Sequence, residues 1–475
     1  MSQAYETVIG LECHVQLATH SKMFCGCPTD YSGAPPNSHV CPICLGMPGV
    51  LPVINRVAVE YTLLTGLAMN SEIPAVTKFD RKNYPYPDLV KGYQISQYDM
   101  PLVKGGWVEI TTASNPELRR IRLERVHLEE DTGKLTHASG GSLVDFNRSG
   151  VPLMEMVSQP DLRSPAEARA YLLKLRAILR TLGVSDADME KGQLRCDVNV
   201  SLRPIGQEQL GTKVEVKNLN SFRAVQHSLE YEIVRQTAVL ERGERIPQET
   251  RGWVEQRGVT VSQRSKEEAH DYRYFPEPDL PPVFVERAWV EQLRARLPEL
   301  PDARRTRYMV SFGLGPYDAE ALSTDGVISG LFEETVRAGA DAKKAANWIQ
   351  NDVSRLRDSH ANGHVLEPKH LAELIRLVDD GVIGISAARQ VLPEVYRTGK
   401  SPRGLIDEMG LAQVSDNAAL EEAARTAIEA NPAAVADYTS GKDSAINFLK
   451  GQVMKATRGK ANPQIVEKVL RKLLA

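Results

Sequence analysis

Two stretches of strict alternation constrain this chain more than any other feature. In residues 9–17, Ile9, Leu11, Cys13, Val15 and Leu17 alternate with Gly10, Glu12, His14 and Gln16. In residues 194–203, Leu194, Cys196, Val198, Val200 and Leu202 alternate with Arg195, Asp197, Asn199, Ser201 and Arg203, and Lys213, Glu215 and Lys217 repeat the pattern. Period two means strands with one apolar and one polar face. An antiparallel sheet is the arrangement that can leave such a polar face in water. The polar side chains are metal- and phosphate-competent types, unlike the Lys/Glu/Thr mixture of an ordinary exterior. From the pattern alone, a solvated exterior and a functional face stay equally open.

The texture changes along the chain. Up to about residue 290, short alternating strands are punctuated by Gly and Pro; afterwards helical periodicity dominates. Residues 272–282 (YRYFPEPDLPP) are expected to be extended, because four prolines preclude a helix or a central strand. Ser164, Pro165 and Glu167 supply a helix start, Tyr171, Leu172, Leu175, Ile178, Leu179 and Leu182 one apolar face, and Gly183 a stop. A second helix is expected over 221–242, and both look like cover for the sheet. Helices are further expected near 302–312, 326–338, 341–354, 367–379, 384–396, 416–430, 443–457 and 463–474, with a break around 398–404. The fold class is therefore α+β, divided as 1–294, 295–404 and 405–475.

No basic-then-apolar leader opens the chain and no apolar run reaches the roughly 18 residues of a membrane span; a cytoplasmic protein without a membrane partner is expected. In such a reducing compartment, Cys25, Cys27, Cys41 and Cys44, spaced as C-x-C and C-x-x-C, predict a closed structural zinc site rather than disulfides. A net charge of −3 argues against nucleic-acid binding over the whole surface. The last 35 residues nevertheless carry eight Lys/Arg against Asp443 and Glu467, a net +6. Such a local basic face attracts phosphate backbones, although a solvated helical surface is an equal alternative.

Residues 126–134 (VHLEEDTGK) pack three carboxylates and a lysine into one strand end and turn. Residues 144–155 (VDFNRSGVPLME) read as a hairpin around 148–150 that leaves Glu155 between Met154 and Met156. An acid in an apolar run is costly to ionise unless a cation shares it. Glu12, His14, Glu130 and Glu155 form the candidate cage, suited to Mg²⁺, with the imidazole also admitting Mn²⁺. A phosphate-binding loop is absent, since residues 206–213 (GQEQLGTK) reverse the required Lys and Thr. Any use of ATP must rely on another architecture.

Together the segments 8–15 (VIGLECHV), 79–84 (FDRKNY), 92–97 (GYQISQ), 128–131 (LEED), 144–148 (VDFNR) with Gly150 and 152–155 (PLME), and 271–278 (DYRYFPEP) resemble the B subunits of bacterial glutamyl/aspartyl-tRNA amidotransferases over nearly the whole chain. The resemblance implies a cradle-shaped antiparallel-sheet domain, a helical domain and a tRNA-gripping helical tail. It implies ATP-dependent transamidation of misacylated Glu-tRNA(Gln) or Asp-tRNA(Asn) through a phosphorylated carboxylate. Ammonia would come through a channel from an amidase-type A subunit (the glutaminase), with a small C subunit and the cognate aminoacyl-tRNA synthetase as further partners. Carried over, the metal ligands fall on Glu12, His14, Glu130 and Glu155, and the ammonia route on Lys82 and Lys91, where Glu130 also lies. Lys134, Arg195, Asp197 and Lys217 are the expected nucleotide or phosphate contacts, and Lys455, Arg458 and Lys460 the tRNA contacts. The four-cysteine site occurs in only some members, so its zinc rests on spacing. Two rival readings of the residues are a non-catalytic tRNA-binding scaffold and a metal-dependent hydrolase.

Overall fold

The computed structural model describes residues 5–474 apart from 113–114, 116, 266–271, 360–365, 412–416, 458–460 and 462. Asp271, Arg458 and Lys460 thus lie outside the described residues. The chain divides into two compact units, Met1–Pro301 and Asp302–Ala475.

The first unit is built on a nine-stranded sheet. In chain order its strands are β1 (Tyr5–Gln16), β2 (Val103–Lys104), β3 (Trp107–Ile110), β4 (Arg119–Glu130), β5 (Pro152–Ser158), β6 (Leu194–Pro204), β7 (Val214–Lys217), β8 (Glu249–Val254) and β9 (Val259–Ser265). The spatial order is β9-β8-β7-β6-β1-β5-β4-β2, with β3 beside β4. Every neighbouring pair is antiparallel except β7 with β8, which is parallel. The two alternating stretches are therefore adjacent central strands, paired from Tyr5–Pro204 through Val15–Leu194.

Their apolar faces are buried as the alternation requires. Ile9, Leu11, Cys13, Val15, Cys196, Val198 and Val200 join one core with Tyr171, Leu172, Leu175, Ile178 and Leu179 of the helix Pro165–Leu182. That helix starts on the Ser164 side chain, which accepts from the Glu167 N–H, and stops at Gly183 in the left-handed region. The second covering helix, Phe222–Glu241, starts in the same way on Ser221. It buries Glu232, whose carboxylate accepts from Arg235 and Thr260.

Residues 144–155 are not the expected hairpin. The strand Gly141–Asp145 pairs with Lys134–Ala138, whereas β5 pairs with β1 and β4. Residues 146–151 are thus a crossover between separate sheets, and Gly150 lies at φ +86. The proline-rich stretch is extended as expected: Phe275–Pro276 pairs with the strand Asp80–Asn83.

The second unit is helical among its described residues, with one core spanning 308–406 and another spanning 420–470. The expected helix over 341–354 is interrupted: Ala342–Trp348 passes through a π-turn, Ile349–Val353, before Ser354–Ser359. Short helices that the periodicity did not signal occur at Pro316–Ser323, Pro402–Met409 and Pro432–Thr439. Each is only eight residues long, too short to show an apolar stripe. No helix among the described residues is long and apolar enough to cross a membrane.

Candidate functional site

Register alone assembles the centre of the polar face. His127 on β4 lies opposite Glu155 on β5, Glu155 opposite His14 on β1, and His14 opposite Arg195 on β6. Side chains in such a transverse row stand about 5 Å apart, close enough to share one ion. Glu129, two residues along β4 from His127, points to the same side. Glu155 Oε2 is 3.4 Å from both His14 Nε2 and His127 Nε2, and His127 Nε2 is 3.5 Å from Glu129 Oε1. One ligand atom each from His14, Glu129 and Glu155 falls within 4.8 Å of the others. Lys82 reaches in from the strand Asp80–Asn83, its Nζ 3.9 Å from Glu129 Oε2 and 5.1 Å from the Tyr272 ring centre.

Burial sharpens the electrostatics. Glu129 and His127 are 1 % and 3 % exposed. Burial by itself would raise the Glu155 pKa, but His127, a hydrogen bond shared with Glu129, and His14 outweigh it and hold that carboxyl well below the usual range. Burial would likewise strip the proton from Lys82; Glu129 and neighbouring acidic groups overcome it and keep the ammonium charged. Glu129 Oε1 and His127 Nδ1 are buried without a hydrogen-bond partner. A polar group so placed is costly unless something else satisfies it. Two carboxylates, one of them with an unsatisfied oxygen, and one imidazole fit a divalent cation of the Mg²⁺ or Mn²⁺ type.

This grouping differs from the expected quartet. Glu130 follows Glu129 on an extended strand, so it points to the opposite face, where it pairs with Lys91 and accepts from the Ile95 N–H at 3.0 Å. Glu12 shares the face of His14, but its Oε1 accepts from Asn199 Nδ2 at 2.7 Å and it stands outside the cluster. Lys82 and Lys91 therefore meet successive, oppositely directed carboxylates. The signal for Glu129 was present in the sequence: the alternation applied to β1 selects His127, Glu129 and Asp131 when applied to residues 126–131.

Of the expected phosphate contacts, Arg195 Nη2 lies 2.9 Å from Asp131 Oδ1, and Gln16 Nε2 lies 2.8 Å from Asp131 Oδ2. Burial would raise the Asp131 pKa, but Arg195 and Arg148 lower it. Lys217 joins Asp197 and Glu215. It also borders a cavity of about 530 Å³ lined with Tyr84, Tyr86, Asp88, Thr132, Thr250, Gln263 and Tyr272. Lys134 is exposed at the start of the Lys134–Ala138 hairpin strand.

The four cysteine sulfurs at positions 25, 27, 41 and 44 also lie within 4.8 Å of one another. Hydrogen bonding with the Cys25 thiol, opposed by burial and aided by Cys41 and Lys22, pulls the Cys44 thiol down to about 4. Asn147 ties this loop to the crossover: its Oδ1 accepts from the His39 N–H at 2.8 Å and its Nδ2 donates to the Pro35 carbonyl at 2.7 Å.

In the tail, Lys450 pairs with Glu467, Arg471 with Asp443 and Glu467, and Lys472 with Glu421, so these three of the eight counted cations have acidic partners. Lys455 is exposed on the last turn of the helix Ala445–Ala456.

Comparison with known proteins gives two family matches, the GatB/GatE catalytic domain over residues 7–291 and a GatB domain over 330–474. Similar proteins include the aspartyl/glutamyl-tRNA(Asn/Gln) amidotransferase subunits B of Brevibacillus brevis, 54 % identical, and Carboxydothermus hydrogenoformans, 52 % identical. That of Moorella thermoacetica is 54 % identical. The alignments cover 99 % of this chain in each case, and 99 %, 99 % and 100 % of the respective relatives.

Proposed function

The chain belongs to the GatB/GatE family, and on that premise we propose that it activates and amidates the side-chain carboxylate of Glu-tRNA(Gln) and Asp-tRNA(Asn) within a multi-subunit amidotransferase. The observation that carries the reading is the His14–Glu129–Glu155 cluster, both of its carboxylates buried and Lys82 beside it, on the polar face of a sheet whose apolar side chains pack into the core.

Hydroxide is a poor leaving group from a carboxylate, and phosphate is a good one. The substrate carboxylate oxygen attacks the γ-phosphorus of ATP and ADP departs. Ammonia then attacks the acyl carbon, phosphate leaves, and the nitrogen sheds a proton to give the amide. His14, Glu129 and Glu155 would hold a divalent cation that neutralises charge on the transferred phosphoryl group. The Lys82 ammonium adds fixed positive charge at the same place, in a site where burial strengthens its field. Lys217 and the tyrosine-lined cavity beside it are assigned to the nucleotide. Arg195, held by Asp131, is assigned to its phosphates. Lys91 and Glu130, on the opposite face, are assigned to the ammonia route from a glutaminase subunit. A small third subunit and the cognate aminoacyl-tRNA synthetase complete the partners, and the reaction is placed in the cytoplasm. The four cysteines are assigned to a structural zinc ion.

The test is an assay of the reconstituted complex with both misacylated tRNAs, with and without ATP and glutamine. Amide formation that requires ATP and tRNA, with ammonium salts replacing glutamine, supports the reading. Release of an acid without ATP would instead indicate a metal-dependent hydrolase. Binding of tRNA with no chemistry would indicate a scaffold.

For the tail, neutralising Lys455, Arg458 and Lys460 is expected to weaken tRNA binding. Each lost phosphate contact should reduce the slope of log K against log salt by about one unit. A slope unchanged in filter-binding titrations would make the tail a solvated surface.

A further inference from the structure

We propose that Lys22 is the built-in counter-cation of the four-cysteine cluster, a positioning residue that retains the metal by lowering the cluster's negative charge. The proposal rests on the zinc reading of that cluster.

Lys22 is 1 % exposed, among the most deeply buried large side chains of the chain. Its Nζ lies 2.8 Å from the His39 carbonyl, 3.5 Å from the Phe146 carbonyl and 3.5 Å from Cys44 Sγ. Three acceptors match the three protons of an ammonium group, and Cys44 is the one acidic partner among them. A buried ammonium without an anion is strongly disfavoured, and a metal-bound thiolate at Cys44, 3.5 Å away, would supply that anion. Four thiolates around a divalent ion leave a net charge of about −2, an equally poor tenant of a buried loop. Each charge answers the other.

The surroundings are shaped for this contact. A Cβ on Gly150 would lie 3.4 Å from both Lys22 Cδ and Cys44 Cβ, and the φ of +86 already disfavours any side chain there. Gly150 thus packs against both Lys22 and Cys44. The Phe146 carbonyl fixes the ammonium, and Asn147 fixes the loop that carries His39. The crossover 146–151 thus serves the cysteine cluster as well as delivering Glu155 to the acid cluster. Groups that contact metal ligands from outside usually change metal affinity by about 10–100-fold when removed.

The experiment measures zinc stoichiometry and zinc transfer to a chromogenic chelator on the folded full chain, recovered by gel filtration. Wild type is expected to hold one zinc at the four cysteines and release it slowly. Lys22→Met is expected to transfer zinc about 10–100-fold more readily. Lys22→Gln keeps hydrogen-bond donors and loses the charge. It is expected to behave like Lys22→Met, and it is decisive alone if the methionine variant does not fold. Release at the wild-type rate from Lys22→Gln would overturn the counter-cation role. Wild type lacking zinc altogether would overturn the zinc reading instead, so the two failures are distinct.

Discussion

Glu129→Ala is expected to lower tRNA-stimulated ADP formation and amide formation together, by about two to three orders of magnitude, with tRNA binding retained. Glu129 Oε1 is buried without a hydrogen-bond partner, and its carboxylate stands between Lys82 and His127. Removing it leaves the Lys82 ammonium without its nearest anion and takes one ligand from the candidate cation site. Glu130→Ala makes the contrast. Its carboxylate serves Lys91 and the Ile95 N–H on the other face, so ADP formation should persist while glutamine-dependent amide formation falls. Parallel measurement of ADP, amide and bound tRNA separates the two. Loss of ADP formation in Glu130→Ala, with Glu129→Ala active, would place the activation step on the wrong carboxylate.

The second large effect is structural and reaches the same lysine. Glu277→Ala is expected to destabilise the contact between the strand Asp80–Asn83 and the extended segment carrying Phe275–Pro276 by about 3–5 kcal/mol, the usual cost of removing one partner from a buried ion pair. Glu277 is 3 % exposed and accepts from Arg81 Nε and Nη2 at 2.7 and 2.8 Å. Arg81 is in turn packed 4.3 Å over the Tyr93 ring. The same segment carries Tyr272, whose ring lies beside Lys82 and meets Tyr84 edge to face, and Tyr274, whose ring stacks on Tyr98. Hydrogen exchange is the direct readout, because the Asn83 and Glu277 amides bond to the Tyr272 and Phe79 carbonyls across this seam. Their protection should fall at least about a hundredfold, since each 1.4 kcal/mol is tenfold. Glu277→Gln, which keeps one acceptor, should lose less. Unchanged exchange in Glu277→Ala would mean that the strand pairing holds the segment without the ion pair.

Much of this fold is legible because its determinants are local. Period-two alternation in 9–17 and 194–203 fixes which side chains share a face whatever the strand's neighbours are, and both strands bury the faces so selected. Ser164 and Gly183 mark helix ends through backbone hydrogen bonds made within a few residues. The cysteine spacing places four sulfurs together because two short links leave few other arrangements. Elements of about eight residues escape such reading, as Pro316–Ser323 and Pro432–Thr439 do, because two turns carry too few positions to establish a period.

What alternation cannot supply is register between strands distant in sequence. His14 meets Glu155 only because β5, 141 positions later, pairs with β1 in one alignment rather than another. A shift of one residue would send every side chain to the opposite face. The same parity decides between Glu129 and Glu130, adjacent in the chain and facing opposite ways: one joins His14 and Glu155, and the other joins Lys91. The sequence by itself determined which residue types could do chemistry and which strand faces would carry them. Tertiary structure alone decided which of them meet, because that choice depends on long-range pairing and on the crossover at 146–151, whose course no local pattern encodes.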